Sequence, residues 1–152
     1  MSMYLEIFKE KAQLKGLRVL VLEREPDHQD LLSFILEVEG ASVISVATVK
    51  EAKEVLSNQP IDVLFASMRT LKKEPHLTLK THLAANKGLL AIAVAETQRE
   101  SYNPSRLREL GYYGYICKPL NPSEVVNSVT IYTGRQKADD HVRRYNVVMA
   151  VG

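Results

Sequence analysis

Short apolar runs that alternate with helix-patterned segments constrain this chain more than any other feature. The runs are VLVL (19–22), SVISVA (42–47), IDVLFAS (61–67), LLAIAVA (89–95) and YGYICK (113–118). Several are apolar almost throughout, as strands covered on both faces must be. Between them, apolar residues recur at helical spacing. Leu31, Ile35 and Val38 fall on one stripe, which Gly40 ends. Val49, Ala52 and Leu56 form the next, behind a Thr48–Glu51 capping box. Leu79 and Leu83 mark a third helix. Asn103 and Pro104 start a fourth, with Leu107 and Leu110 inward and Gly111 as its stop. Asn121, Pro122 and Glu124 start a fifth, with Val125, Val129 and Tyr132 inward. This alternation predicts an α/β fold: a doubly wound sheet of five parallel strands with helices on both faces.

At 152 residues the chain has room for one domain with a sizeable core. The predicted boundaries are an N-terminal helical extension over 1–16, a core domain over 17–133 and a C-terminal tail over 134–152. Leu5, Phe8 and Ala12 share one side of the extension, and the tail is polar with an apolar tip. The 45% hydrophobic and 25% charged residues are the balance of a soluble globular domain. A formal net charge of +2 is too small to imply nucleic acid as a partner. Cys117 is the single cysteine, so no internal disulfide forms, which fits a reducing compartment. Charges come too early in MSMYLEIFKEK for a signal peptide. The longest apolar run is far below the roughly 20 residues of a membrane span. The expected location is the cytoplasm.

In an open parallel sheet, ligands bind beyond the carboxyl ends of the strands. Those ends deliver Glu23, Arg24 and Glu25, then Ser67, then Ala95 with Glu96, and last Cys117, Lys118 and Pro119. Lys118 at a crowded strand end needs a partner, and Glu23 is the expected one. Arg24 has two readings, an internal cation or a side chain in solvent. No Gly-x-Ser-x-Gly elbow surrounds Ser67, so it is not expected to be a nucleophile. Cys117 is expected to be a buried, inert thiol. His28, His76, His82 and His141 form no metal motif and are expected at the surface. Arg69, Lys72, Lys73, Lys80 and Lys87 face Glu74 alone among acidic residues of 69–87, and they read as a solvated face. Tyr112, Tyr113 and Tyr115 cluster at the fifth strand, with Tyr113 and Tyr115 on one side of it.

VLVLEREPDHQDLLSFILEVEGASVISVATVKEAKEVLSNQPIDVLFAS and LRELGYYGYICKPLNPSEVVNSV resemble the first half and last third of a response-regulator receiver domain. The Lys-Pro after the fifth strand, the Glu-Gly before the second and the Gly-Tyr before the fifth fall in register. In 68–90 the family's usual Met-Pro and glycine turn are missing. The resemblance implies a flavodoxin-like fold with strand order 2-1-3-4-5, and phosphoryl transfer to an aspartate aided by magnesium. It places the family's acidic pair on Glu23 and Arg24, and the acceptor on Ser67. The hydroxyl that follows phosphorylation falls on Ala95, the switching aromatic on Tyr115 and the phosphate-sensing lysine on Lys118.

Magnesium takes hard oxygen ligands, whereas Arg24 brings a positive charge and Ser67 only a hydroxyl. Serine also lacks the carboxylate that forms an acyl phosphate. The expectation is a degenerate pseudo-receiver of a bacterial two-component or phosphorelay system. It would have no enzymatic activity, metal or cofactor, and would act through protein–protein contact. The resemblance implies a kinase, an output protein or a second copy as partner, with a homodimer formed through the fourth helix, fifth strand and fifth helix. Tyr115 is expected to turn inward beside the small Ala95. Two further readings stand beside this one. A receiver modified at a non-standard residue has Asp62 as a poor candidate, too early on its strand. A flavodoxin-like enzyme or ligand-binding domain lacks a Gly-rich phosphate loop, since EREPD follows the first strand.

Overall fold

A computed structural model describes residues 12–73, 78–96 and 104–131. Five strands, β1 (Arg18–Leu22), β2 (Ser42–Val46), β3 (Val63–Ser67), β4 (Leu90–Ala95) and β5 (Gly114–Cys117), form one sheet in the order β2-β1-β3-β4-β5. Every pairing is parallel, so the chain crosses over a face between successive strands. The crossovers carry α1 (Pro26–Val38), α2 (Val49–Asn58), α3 (Met68–Lys73), α4 (Lys80–Ala85) and α5 (Pro104–Glu109). A last helix, α6, covers 122–131. The doubly wound sheet and its order are those expected from the sequence.

Side chains leave a strand on alternate faces, and here both faces are buried. Val19, Val21, Val63, Phe65, Ile92 and Val94 meet α1 and α6. Leu20, Leu22, Leu64, Ala66, Ala91 and Ala93 meet the helices of the other side. That is why β3 and β4 show no polar alternation in sequence. Leu14, within the predicted extension, is fully buried in the first of these clusters.

The helix signals act as read at several ends. Thr48 Oγ1 accepts from the Glu51 N–H at 3.2 Å and its hydroxyl donates to Glu51 Oε1 at 2.8 Å. Asn121 Oδ1 accepts from the N–H groups of Ser123 and Glu124 at 2.9 and 3.4 Å. Gly111 ends α5 at φ 100°, a left-handed conformation that glycine adopts without steric cost. Val49, Ala52, Leu56, Leu107, Val125 and Val129 are buried as expected.

Two readings need correction. The buried stripe of α1 is Leu32, Ile35 and Leu36, while Leu31 and Val38 are 45% and 43% exposed. The helix carries apolar residues on two overlapping stripes, and contact with the sheet chose the other one. The third helix is two short ones: α3 follows Ser67 directly, and Leu79 and Leu83 bury beside α4. Leu5, Phe8, Glu74, His76, Asn103, Tyr132, His141 and the C-terminal tail lie outside the described residues.

Candidate functional site

Glu23 and Lys118 each stand one residue past a strand. The Glu23 N–H donates to Val46 O at 3.0 Å and the Lys118 N–H to Ala95 O at 2.8 Å, which continues the β1–β2 and β4–β5 ladders. Both side chains are thereby aimed at the carboxyl end of the sheet. Lys118 Nζ lies 2.6 Å from Glu23 Oε1, 3.0 Å from Glu96 Oε1 and 2.8 Å from His28 Nδ1. An ammonium has three donors and no acceptor, so the imidazole nitrogen accepts, and all three donors are satisfied. The expected Glu23–Lys118 pair is present, with Lys118 and Glu23 side chains only 9% and 5% exposed.

Glu23 is held from its other side as well. Its Oε2 accepts from the Thr70 hydroxyl at 3.2 Å and the Glu25 N–H at 3.4 Å. Burial works against ionisation of this carboxyl. The Lys118 ammonium, with the Glu25 and Thr70 donors, outweighs burial and holds the carboxyl below its ordinary range.

Ser67 is buried at the end of β3, and its Oγ accepts from the Thr70 N–H at 3.3 Å. Thr70 Oγ1 in turn accepts from the Arg24 N–H at 3.1 Å. Thr70 thus joins the third strand's end to the first. The Arg24 side chain is exposed, which settles its two readings in favour of solvent. Ala95 is fully buried.

His28 and Thr70 are the members that sequence reasoning missed. His28 was expected at the surface, and its side chain is 43% exposed, but one ring nitrogen also contacts Lys118. The remaining signal was its place on the first turn of α1, beside the Glu23 end of β1. Thr70 lies three residues after Ser67, the spacing at which a helical turn brings its N–H back over the strand end. His82, also expected at the surface, is half-buried.

Tyr115 does not turn inward beside Ala95: it is 42% exposed, with Tyr113 at 39%. β5 is an edge strand, and the Tyr115 ring stays partly in solvent there. Tyr112 is buried, and that burial pushes its phenol up. Cys117, expected to be buried, is half-buried; desolvation, with the Glu124 charge, still raises its thiol, which works against thiolate reactivity. Asp62 accepts from the Arg18 N–H at 2.8 Å at the amino ends of the strands, the far end of the sheet from Ser67. Arg69, Lys72, Lys73, Lys80 and Lys87 are exposed as expected.

The magnesium ion that the resemblance implies finds a poor donor set. The carboxylates of Glu23 and Glu96 converge on an ammonium, and the other strand ends offer an alcohol and a methyl group. Among the described residues, no group of three or more His, Cys, Asp and Glu has the geometry to hold a metal. None of the described helices is long and apolar enough to cross a membrane.

No family model matches the chain. It is 31% identical over 121 residues to an uncharacterized 14.6 kDa protein from the sodA1 3' region of Leptolyngbya boryana, covering 78% of this chain and 92% of that protein. It is 30% identical over 115 residues to the transcriptional regulatory protein AruR of Pseudomonas aeruginosa. That match takes in 72% of this chain and 46% of AruR, so the chain spans less than half of that regulator's length. Among solved structures, a CheY-like response regulator receiver domain protein from Methanospirillum hungatei JF-1 superposes with a TM-score of 0.69. Its identity is 23%, over 83% of this chain and 98% of the other.

Proposed function

The chain belongs to one family with the 14.6 kDa protein of Leptolyngbya boryana and has the receiver fold of response regulators; on that premise we propose that it is a receiver-like signalling domain that binds protein partners without being phosphorylated. One observation carries this reading. The lysine placed to sense a phosphoryl group has all three donors committed to Glu23, Glu96 and His28. A phosphoryl group at Ser67 would have to break that network to be recognised. Ser67 has no carboxylate to form an acyl phosphate, and Ala95 has no hydroxyl to move toward one.

The domain then has no catalytic step of its own and presents one surface constantly. Tyr115 on β5 and Tyr113 just before it stand exposed on the stretch between α5 and α6 in the chain. Exposed tyrosines supply large contact area at low entropic cost, so this face is where we place the partner: a kinase, an output protein or a second copy. The setting is the cytoplasm of a bacterium with two-component signalling.

Intact-mass measurement after treatment with acetyl phosphate tests the reading. The expected result is an unchanged mass, and partner affinity that does not respond to beryllofluoride. A stoichiometric, acid-labile phosphoryl group would overturn it.

A further inference from the structure

Leu31, Phe34 and Val38 form an apolar stripe along α1 with exposures of 45%, 66% and 43%. Beside it runs a groove between α1 and α6, lined by Phe34, Ile35, Val38, Pro122 and Val126. We propose that this groove is the docking site of the chain's own residues 1–11.

Continuity points to this occupant. Leu14 is buried in the core, and its N–H donates to Glu39 O at 2.9 Å. Gln13 next to it lines the groove. The described part of the chain therefore reaches the groove at Gln13. A helix rises about 1.5 Å per residue, so eleven residues reach about 16 Å, enough for the roughly 10 Å from Leu31 to Val38.

Charge points the same way. Asp27, Asp30 and Glu37 lie on α1, which carries no lysine or arginine. At the helical angle of about 100° per residue, Tyr4, Leu5 and Phe8 share a face. Lys9 and Lys11 flank that face, while Glu6 and Glu10 fall opposite it. An apolar face edged by lysines complements an apolar stripe edged by carboxylates. A two-fold contact of α1 with a second α1 would set carboxylate against carboxylate instead.

The test is disulfide formation in the full-length chain on a Cys117→Ser background. Phe8→Cys with Phe34→Cys should form an intrachain disulfide at least about tenfold faster than Phe8→Cys with Lys50→Cys, on the opposite face of the sheet, because docking raises the effective concentration of the first pair. Adding Lys9→Glu and Lys11→Glu should slow it by about threefold, the scale of two exposed ion pairs. Further adding Asp30→Lys and Glu37→Lys should restore the rate. Disulfide-linked dimers would show that the groove takes a second copy and would overturn the proposal. So would equal rates for the two cysteine pairs, or indifference to the charge reversals.

Discussion

Lys118 Nζ sits 2.6 Å from Glu23 Oε1, although β5 and β1 are separated in the sheet by β3 and β4. The contact spans the carboxyl end of the sheet from one strand end to the other. Strand pairing does not impose it, so it reports on the side chains themselves.

Removing one member should cost more than removing both. Lys118→Met leaves Glu23 buried and unpaired, a loss of about 3–5 kcal/mol in unfolding free energy. Lys118→Met with Glu23→Leu should recover most of that, because a buried pair replaced by apolar groups of similar size is often close to neutral. Urea titration of both variants decides the matter, and a double variant as unstable as the single one would refute the pairing.

Acid should weaken the fold through Glu23. Its carboxyl is held below the ordinary 4.5, so in the window below that value the unfolded chain binds more protons than the folded one. Stability contributed by this group is therefore fully present above pH 4.5 and is lost as pH falls through the lowered folded value. Thermal melts between pH 6 and pH 3, compared with Glu23→Gln, should show a smaller acid slope in the variant.

Restoring a hydroxyl at the fourth strand should harm rather than help. Ala95 is fully exposed to neighbouring atoms and not at all to solvent. Ala95→Thr adds two heavy atoms there and should cost about 1–3 kcal/mol by overpacking. Denaturant midpoints would show it, and an unchanged midpoint would mean that the site has room for the family's hydroxyl.

Gly111 should resist substitution for two reasons at once. Its φ is 100°, and a Cβ there would come within 3.1 Å of Leu83 Cβ and Cδ1. Gly111→Ala is expected to lose about 2 kcal/mol, of which the left-handed backbone accounts for about 1–2. Urea curves of Gly111→Ala read this loss directly, and an unchanged midpoint would refute it.

Local signals made most of the fold legible. Thr48, Asn121 and Gly111 act within one turn of where they stand, so their roles follow from sequence order. The continuous apolar character of β3 and β4 reflects burial on both faces, which neighbours in sequence already display. The failures are tertiary. Leu31 and Leu32 are both leucines one position apart, and only the sheet decides which is inward. Tyr115 sits on an edge strand, where packing between elements rather than local pattern decides how far its ring is covered. His28 entered the site through a contact with a residue 90 positions away, which no local pattern encodes. Glu23 with Lys118 was readable because both stand just past the carboxyl ends of their strands, where opposite charges have few other partners.

The separation of 95 residues between Glu23 and Lys118 also sets a timetable for biosynthesis. β1 leaves the ribosome first, with its carboxylate still lacking a counter-charge. A chain halted between residues 96 and 117 has every strand needed for β2-β1-β3-β4 yet must keep Glu23 in water or bury it without Lys118. The end of the first strand therefore waits for a residue just beyond the last strand before its charge is balanced.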